Sequence, residues 1–312
     1  MVDTPGRLTL WGIEVFAAVA EERSVSAAAR RLDASPSAVS QQLANLEHAL
    51  GATLVDRSAR PLALTPAGGL FRLRAQAILN ETAAARAELG SHDLSRLARF
   101  SLGVVEDFDA EVTPRLLSQI GDTLQGTRFR LETGASHRLY DLLEARTLDI
   151  IVAMESEAPA DWMEVHPLLE EPFVVVRPRE TAPSELPFIQ YTRRHLMGRQ
   201  IAAYLEREGN RLESRFEVDS YVSIMAMVAR SMGWSILTPL GVMAAGAVLD
   251  RVEVTALPGA PLSRRISLIA RRDGLYELPS DIAGRLRPLL EKQIAEPSRA
   301  RLPWLGDSLR VL

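Results

Sequence analysis

The chain has 312 residues, 47% apolar and 24% charged, with a net charge of −4 and no cysteine. That is a globular composition long enough for two or three packed units. It excludes disulfide frameworks, thiol redox switches and Cys-ligated zinc, and it suits a reducing cytoplasm. No run of about twenty apolar residues is present for a membrane span. The opening MVDTPGRLTL lacks a basic segment followed by an apolar core, so no secretory signal is expected. Of the 36 basic residues, 35 are Arg and only Lys292 is Lys.

The first predicted helix runs from about Leu10 to Glu22, capped by Thr9, with Ile13, Phe16, Ala17 and Ala20 on one face. Ser24 caps a second over Val25–Leu32. After a break at Asp33-Ala34, Ser35-Pro36 opens a third: a hydroxyl for an orphan N–H, and a proline whose missing donor costs nothing in the first turn. This helix buries Val39, Leu43, Leu46 and Leu50 and stops at Gly51, suited to a left-handed cap. Its other face carries Ser37, Ser40, Gln41 and Asn45. Such uncharged side chains can hydrogen-bond base edges in a major groove wide enough for one helix. The pair reads as a helix–turn–helix, an ordinary helical hairpin being the alternative.

Leu54-Val55 and Leu62-Ala63-Leu64 flank a turn, forming a wing with Arg57 and Arg60 near its tip, able to lie along a phosphate backbone. Arg30 and Arg31 complete the candidate DNA-contacting set with Ser35, Pro36, Ser37, Ser40, Gln41 and Asn45. Residues 1–90 hold nine arginines and nine acids, so phosphate contact depends on where individual arginines point. Thr65-Pro66 opens a long helix to Leu89, on which Phe71, Ala75, Ile78, Thr82, Ala85 and Leu89 recur at steps of four and three. Heptad-like spacing on a helix joining two domains predicts pairing with a second copy; packing on its own domain is the alternative. Ser91–Ser95 reads as a polar hinge.

From about Arg99 strands alternate with helices. Strands are expected at Phe100–Val105, Phe129–Thr133, Asp149–Met154, Pro172–Arg177, Leu186–Tyr191, Arg215–Val218, Trp234–Thr238, Arg251–Leu257 and Arg265–Arg271. Helices are expected near Ala110–Ile120, Arg138–Ala145, Gly198–Glu208, Tyr221–Ser231 and Ile282–Ala295. This alternation implies an α/β domain of open sheets with crossover helices, in two lobes, the chain crossing near 175–190. The segment 296–312 shows no clear period and receives no role. The domain plan is 1–65, a linker helix at 66–90, a hinge at 91–98, a two-lobed domain at 99–295 and a tail.

The stretches FAAVAEERSVSAAARRL, SPSAVSQQLANLEHALGATLVDR and LALTPAG, within Phe16–Gly68, resemble the LysR-type transcriptional regulators of bacteria. LDIIVAM, FEVDSY and GWSILTPLG match landmarks of that family's effector domain, so the resemblance covers nearly the whole chain. Pro36-Ser37 stands where the family usually has Gln-Pro, and Val55 where it usually has Phe. The resemblance implies a winged helix–turn–helix, a linker helix, and a two-lobed domain similar to periplasmic binding proteins, with an effector between the lobes. Open α/β sheets favour such crevices because orphan N–H groups converge there. Mapped onto this chain, the cleft is lined by Glu106, Asp107 and Phe108, by Ser136 and His137, by Tyr191, Thr192 and Arg193, and by Asp219, Ser220 and Thr238. Glu106-Asp107 could instead cap the following helix; facing the cleft, they favour an amine or hydroxylated ligand over a plain carboxylate. Arg193 or His195 could bind a carboxylate.

The resemblance further implies duplex DNA, a small-molecule effector, a dimer or tetramer of the chain and RNA polymerase as partners, with no cofactor or metal. A transport-type solute-binding protein is a second reading, which the helix–turn–helix disfavours. Catalysis is not expected: the histidines at 48, 92, 137, 166 and 195 are scattered, and no HExxH, GxSxG or P-loop occurs.

Overall fold

The computed structural model describes residues 7–89, 99–108, 111–124, 126–156, 158–179, 186–210, 212, 214–272 and 275–312, residues 83, 84, 86–89 and 247 by backbone alone. The expected hinge at 91–98 and the side chain of Leu89 lie outside the described residues. The chain divides into two compact units, one formed by Met1–Asp93 and the other by almost all of the remainder.

In the first unit, α1 (Leu10–Glu22), α2 (Val25–Arg31) and α3 (Pro36–Leu50) start where their sequence caps stand. The Thr9, Ser24 and Ser35 hydroxyls accept from the amides of Gly12, Ala27 and Ala38. Gly51 ends α3 in the left-handed conformation at φ 65°. Ile13, Phe16, Val19, Ala28, Val39, Leu43 and Leu46 form the core. A wing of β1 (Val55–Asp56) and β2 (Ala63–Leu64) pairs antiparallel beside it. The helix α4 (Pro66–Leu89) then packs closely: a side chain at Gly68 would collide with the Leu54 carbonyl, 2.0 Å from its Cβ.

The stripe expected to pair with a second copy is instead partly spent inside this unit. The Phe71 ring sits 5.2 Å from that of Phe16, Ala75 is only 1% exposed, and Ile78 packs on the same core. Thr82 turns its hydroxyl to the Ile78 carbonyl, and Ala85 is exposed. An amphipathic stripe records that something covers it, and here α1 does. Among the described side chains of α4, the large apolar ones left open are Leu70, 74% exposed, and Leu73, 49% exposed.

The second unit has two lobes. The first lobe is a six-stranded sheet ordered β13-β6-β12-β5-β3-β4: β3 (Arg99–Val104), β4 (Arg128–Thr133), β5 (Ile150–Met154), β6 (Met163–Pro172), β12 (Ser263–Arg271) and β13 (Arg310–Val311). The strand β3 runs parallel to β4 and β5, and β12 antiparallel to β5 and β6. The helices α5 (Val112–Thr123), α6 (Ser136–Glu144) and α10 (Leu278–Leu290) cover it with Leu116, Ile120, Leu139, Leu143 and Leu286. In the second lobe β7 (Val174–Pro178) lies between β10 (Ser235–Leu237) and β11 (Val252–Ala256). There β8 (Phe188–Tyr191) pairs in parallel with β9 (Ser214–Val218), and a bridge from Phe188 to Trp234 joins the two small sheets. Its helices are α7 (Leu196–Arg207), α8 (Tyr221–Val228) and α9 (Pro239–Ala244).

Three expectations need correction. The first crossing between lobes comes at Pro172–Phe173, before the expected 175–190, because β6 was not anticipated. Its MEVHPLLEEP carries charges and two prolines, and Pro167 is tolerated where the β6–β12 register shifts at Ile266/Ser267. The segment 296–312 is part of the sheet rather than a tail: after α11 (Glu296–Arg301), β13 pairs with β6 and Leu309 is buried. The helix expected at Ala110–Ile120 begins at Val112 and runs to Thr123.

Before β5, the Asp149 carboxylate accepts from the Ser101 amide at 2.6 Å, and burial pushes its pKa up from 3.8 to about 6. A raised carboxyl pKa contributes stability below the unfolded value that is lost as pH rises through the folded one. Asp149→Asn keeps an acceptor and cannot ionise. It is expected to stabilise the second unit by up to about 3 kcal/mol at pH 8, the gain shrinking by about half at pH 5. Urea unfolding at both pH values checks this; a gain independent of pH would contradict the buried charge.

Candidate functional site

The first candidate surface is the outer face of α3. Because Val39, Leu43 and Leu46 point inward, Ser35, Pro36, Ser37, Ser40, Gln41 and Asn45 stand exposed on the opposite side. The Gln41 amide donates to the Asn45 side-chain oxygen at 3.0 Å, one turn along, and the Ser35 and Ser37 hydroxyls meet at 3.0 Å. These polar groups are held by one another and by no core residue, so base edges can exchange with them.

The four arginines predicted beside them are not equivalent. Arg31 is tied to Glu21 and Glu22 on α1, its pKa raised by the hydrogen bond it donates to Glu21 against the cost of burial. Arg57 pairs with Glu47 at 2.8 Å, and the other oxygen of Glu47 takes the amides of Leu54 and Val55. Arg60 donates to the carbonyls of Arg57 and Ala59 inside the wing. Arg30 is exposed and makes no ion pair among the described residues. Arg31 braces α1 against α2, a contact the sequence offered no means to read, since Glu21 is ten residues away.

The second candidate surface is the cleft between the lobes of the second unit. It encloses a cavity of about 60 Å³. Glu106 and Asp107 line it from the 3₁₀ turn after β3, and Ser136 from the start of α6. Tyr191 lines it from the end of β8, and Thr238 from the start of α9. The Ser136 hydroxyl accepts from the Met154 amide at 3.1 Å, which fixes α6 against β5.

The remaining predicted residues lie elsewhere. Phe108 is buried in the first lobe's core. Thr192 donates to Glu217 at 2.7 Å, and Arg193 is exposed beside Glu206. Asp219 pairs with Arg194, and Ser220 caps α8 through the Ser223 amide. His137 is exposed and its ring stands 5.3 Å from that of His195 across the cleft. Burial, followed by the nearby His137, holds the His195 pKa below its ordinary value.

The structure adds residues that the sequence reading missed. Tyr221, Met154 and Gly241 line the cavity, with Leu196 and Met197 at the start of α7. Behind them lies a buried charged triad. Arg264, 7% exposed, donates through Nε to Glu171 at 2.7 Å and through Nη2 to Asp107 at 2.8 Å. Glu171, with no exposed surface, also accepts from the Leu240 amide at 3.0 Å. Desolvation disfavours charge on Arg264, and the two carboxylates outweigh it and raise its pKa. Burial pushes Glu171 upward and Arg264 opposes that shift. Asp107 is thus an ion-pair partner, not the cap of the following helix. Tyr191 and Tyr221 are both raised, first by burial and then by the field of Asp107, with Glu106 adding to it.

Among the described residues no three acidic, histidine or cysteine side chains come together as a metal would require, and no helix is long and apolar enough to cross a membrane.

The comparisons with known proteins match both units. The family described as bacterial regulatory helix-turn-helix protein, lysR family, matches residues 10–69, and the LysR substrate binding domain matches residues 95–277. A probable hydrogen peroxide-inducible genes activator of Mycobacterium avium is 29% identical over 311 residues, covering 94% of this chain and 98% of the relative. An SDS degradation transcriptional activation protein of Pseudomonas sp. (strain ATCC 19151) is 28% identical over 304 residues, covering 92% and 97%. Among solved structures, a cysteine-to-aspartate variant of full-length OxyR from Pseudomonas aeruginosa shares the fold at a TM-score of 0.68 and 21% identity, over 90% of this chain and 94% of that one. With both of its units matched by one family, the chain belongs to the LysR-type regulators: it is a DNA-binding transcriptional regulator carrying an effector-binding domain, and not an enzyme.

Proposed function

We propose that α3 reads duplex DNA through Ser37, Ser40, Gln41 and Asn45, with Arg30 and the arginines of the wing on phosphates. The observation that carries this is the exposed, uncharged, hydrogen-bonding face of a helix whose other face is core. Arg57 and Arg60 reach phosphate by exchanging their present partners, Glu47 and the wing carbonyls, for it. The effector sits in the cleft between the lobes, and two copies present two such helices to one face of the duplex. A tetramer, contact with RNA polymerase and a cytoplasmic location accompany this reading.

The signal is a bound molecule. The Mycobacterium relative is named for peroxide induction, but this chain's 312 residues include no cysteine, so there is no thiol to carry to a sulfenic acid or a disulfide. The effector therefore acts by binding one arrangement of the lobes more tightly than another.

Gel shifts on the DNA upstream of its own gene test the DNA-reading face. Gln41→Ala is expected to cost about 1–3 kcal/mol against the preferred base and little elsewhere. Arg30→Ala weakens all sequences alike and lowers the salt slope by about one. If both variants bind as the parent does, α3 is not the reading helix.

A further inference from the structure

The two crossings between lobes have an outer side as well as the side that floors the cleft. Arg264, on the cleft side, is paired in register with Glu171, and the next pair along, Pro172–Ser263, points the opposite way. A cavity of about 360 Å³ opens on that outer side. Phe173 at the first crossing and Leu257 and Leu262 at the second supply apolar wall. The 3₁₀ turn Pro303–Ser308 closes it with Trp304. Such a volume, with apolar walls and a few polar groups, is that of a small-molecule site.

Trp304 lacks the cover that other tryptophans of the chain have. Trp162 lies under the Arg271 guanidinium at 4.6 Å, and Trp234 packs on Phe188 at 4.9 Å. The Trp304 ring is 44% exposed and meets no other ring or arginine among the described residues, and its N–H has no acceptor there.

Charge is an independent observation. Glu170, Arg310 and Asp307 are the charged residues of the lining. Glu170 takes Nη2 of Arg310 at 2.9 Å and has Arg265 at 4.0 Å, so this acid and Arg310 answer each other. Asp307 is exposed and makes no ion pair or hydrogen bond among the described residues. A further acid stands behind Gly259, where a side chain would strike the Glu208 carboxylate. An open indole face beside an unanswered carboxylate suits an organic ammonium.

We propose that this cavity is a second small-molecule site, separate from the cleft, for an arylalkyl amine. The aromatic body lies on Leu257 and Leu262, and the ammonium is held between the Trp304 face and Asp307. A molecule seated there touches both crossings at once.

Ligand-observed NMR titration of the full-length protein at neutral pH and constant ionic strength tests this. Phenethylamine, phenethyl alcohol and hydrocinnamate share a phenylalkyl body and differ in charge. Phenethylamine is expected to bind about tenfold or more tighter than hydrocinnamate, with the alcohol between them. Asp307→Asn, at an exposed position, should bring amine and carboxylate within about threefold of each other. Trp304→Ala should weaken the amine about tenfold, and Trp304→Phe should keep most of the affinity. A parent protein that binds hydrocinnamate as tightly as the amine overturns the ligand class. Amine binding indifferent to both Asp307→Asn and Trp304→Ala overturns the site. No binding of the amine below about 10 mM overturns both, and a changed sedimentation profile for Trp304→Ala would then make this surface a contact between copies.

Discussion

Replacing Arg264 with methionine is expected to destabilise the second unit by about 3–5 kcal/mol, read in calorimetry as a fall of about 10 °C in its transition. The cause is not the value of the ion pair itself. Removing the guanidinium leaves Asp107 and Glu171 charged and buried with nothing opposite them, and Glu171 has no exposed surface at all. Removing the whole triad, with Arg264→Met, Glu171→Met and Asp107→Leu together, should recover much of the loss, because matched apolar side chains no longer carry the desolvation penalty. A single substitution costing less than about 1 kcal/mol would mean that water reaches these groups.

The position of the triad gives that prediction a functional side. Glu171 precedes the first crossing between lobes and Arg264 follows the second, and the two residues are directly paired in register across β6 and β12. From there Arg264 reaches Asp107 at the end of β3 in one lobe, and Glu171 takes the amide of Leu240 in the other. One charged cluster therefore ties together both crossings, the floor of the cleft and the start of α9. A ligand that alters the field on Asp107 acts directly on the point where the lobes join.

Local chemistry made the first unit legible. Thr9, Ser24, Ser35-Pro36, Gly51 and Thr65-Pro66 each mark a helix end by a mechanism that needs no tertiary information, and every one of those ends is where the sequence places it. The alternation of strands and helices was equally readable, because strands such as Ile150–Met154 are apolar throughout when covered on both faces. Non-local pairing was not. Arg264 and Glu171 are 93 residues apart, and a buried arginine at the start of a strand looks in sequence like any surface arginine. Strands β6 and β13 were missed for a related reason: one carries charges and two prolines, and the other is two residues long. In the cleft, Glu106, Asp107, Ser136, Tyr191 and Thr238, which the family resemblance implied, line one cavity. Tyr221 and Arg264 needed the crossings to be known.

The stripe on α4 packs partly inside its own unit, the alternative its spacing left open, and it yields a test with opposite outcomes on neighbouring residues. Phe71→Glu places a carboxylate against Phe16 in the core of the first unit, and is expected to cost about 3–5 kcal/mol or more and to unfold that unit. Leu70→Glu with Leu73→Glu changes two exposed side chains, and should alter the melting by no more than about 1 kcal/mol in total. Its effect should appear in assembly instead. A helix that exposes two leucines on one side offers them to a second copy, and Leu10 and Trp11 on α1 leave further apolar surface open. Sedimentation of the double variant is expected to give a monomer where the parent gives a dimer or larger. Its DNA affinity should fall about 100-fold, because the second recognition helix no longer arrives tethered to the first. An unchanged sedimentation profile would remove Leu70 and Leu73 from the interface, and a folded, unperturbed Phe71→Glu protein would return the seam to the inner stripe.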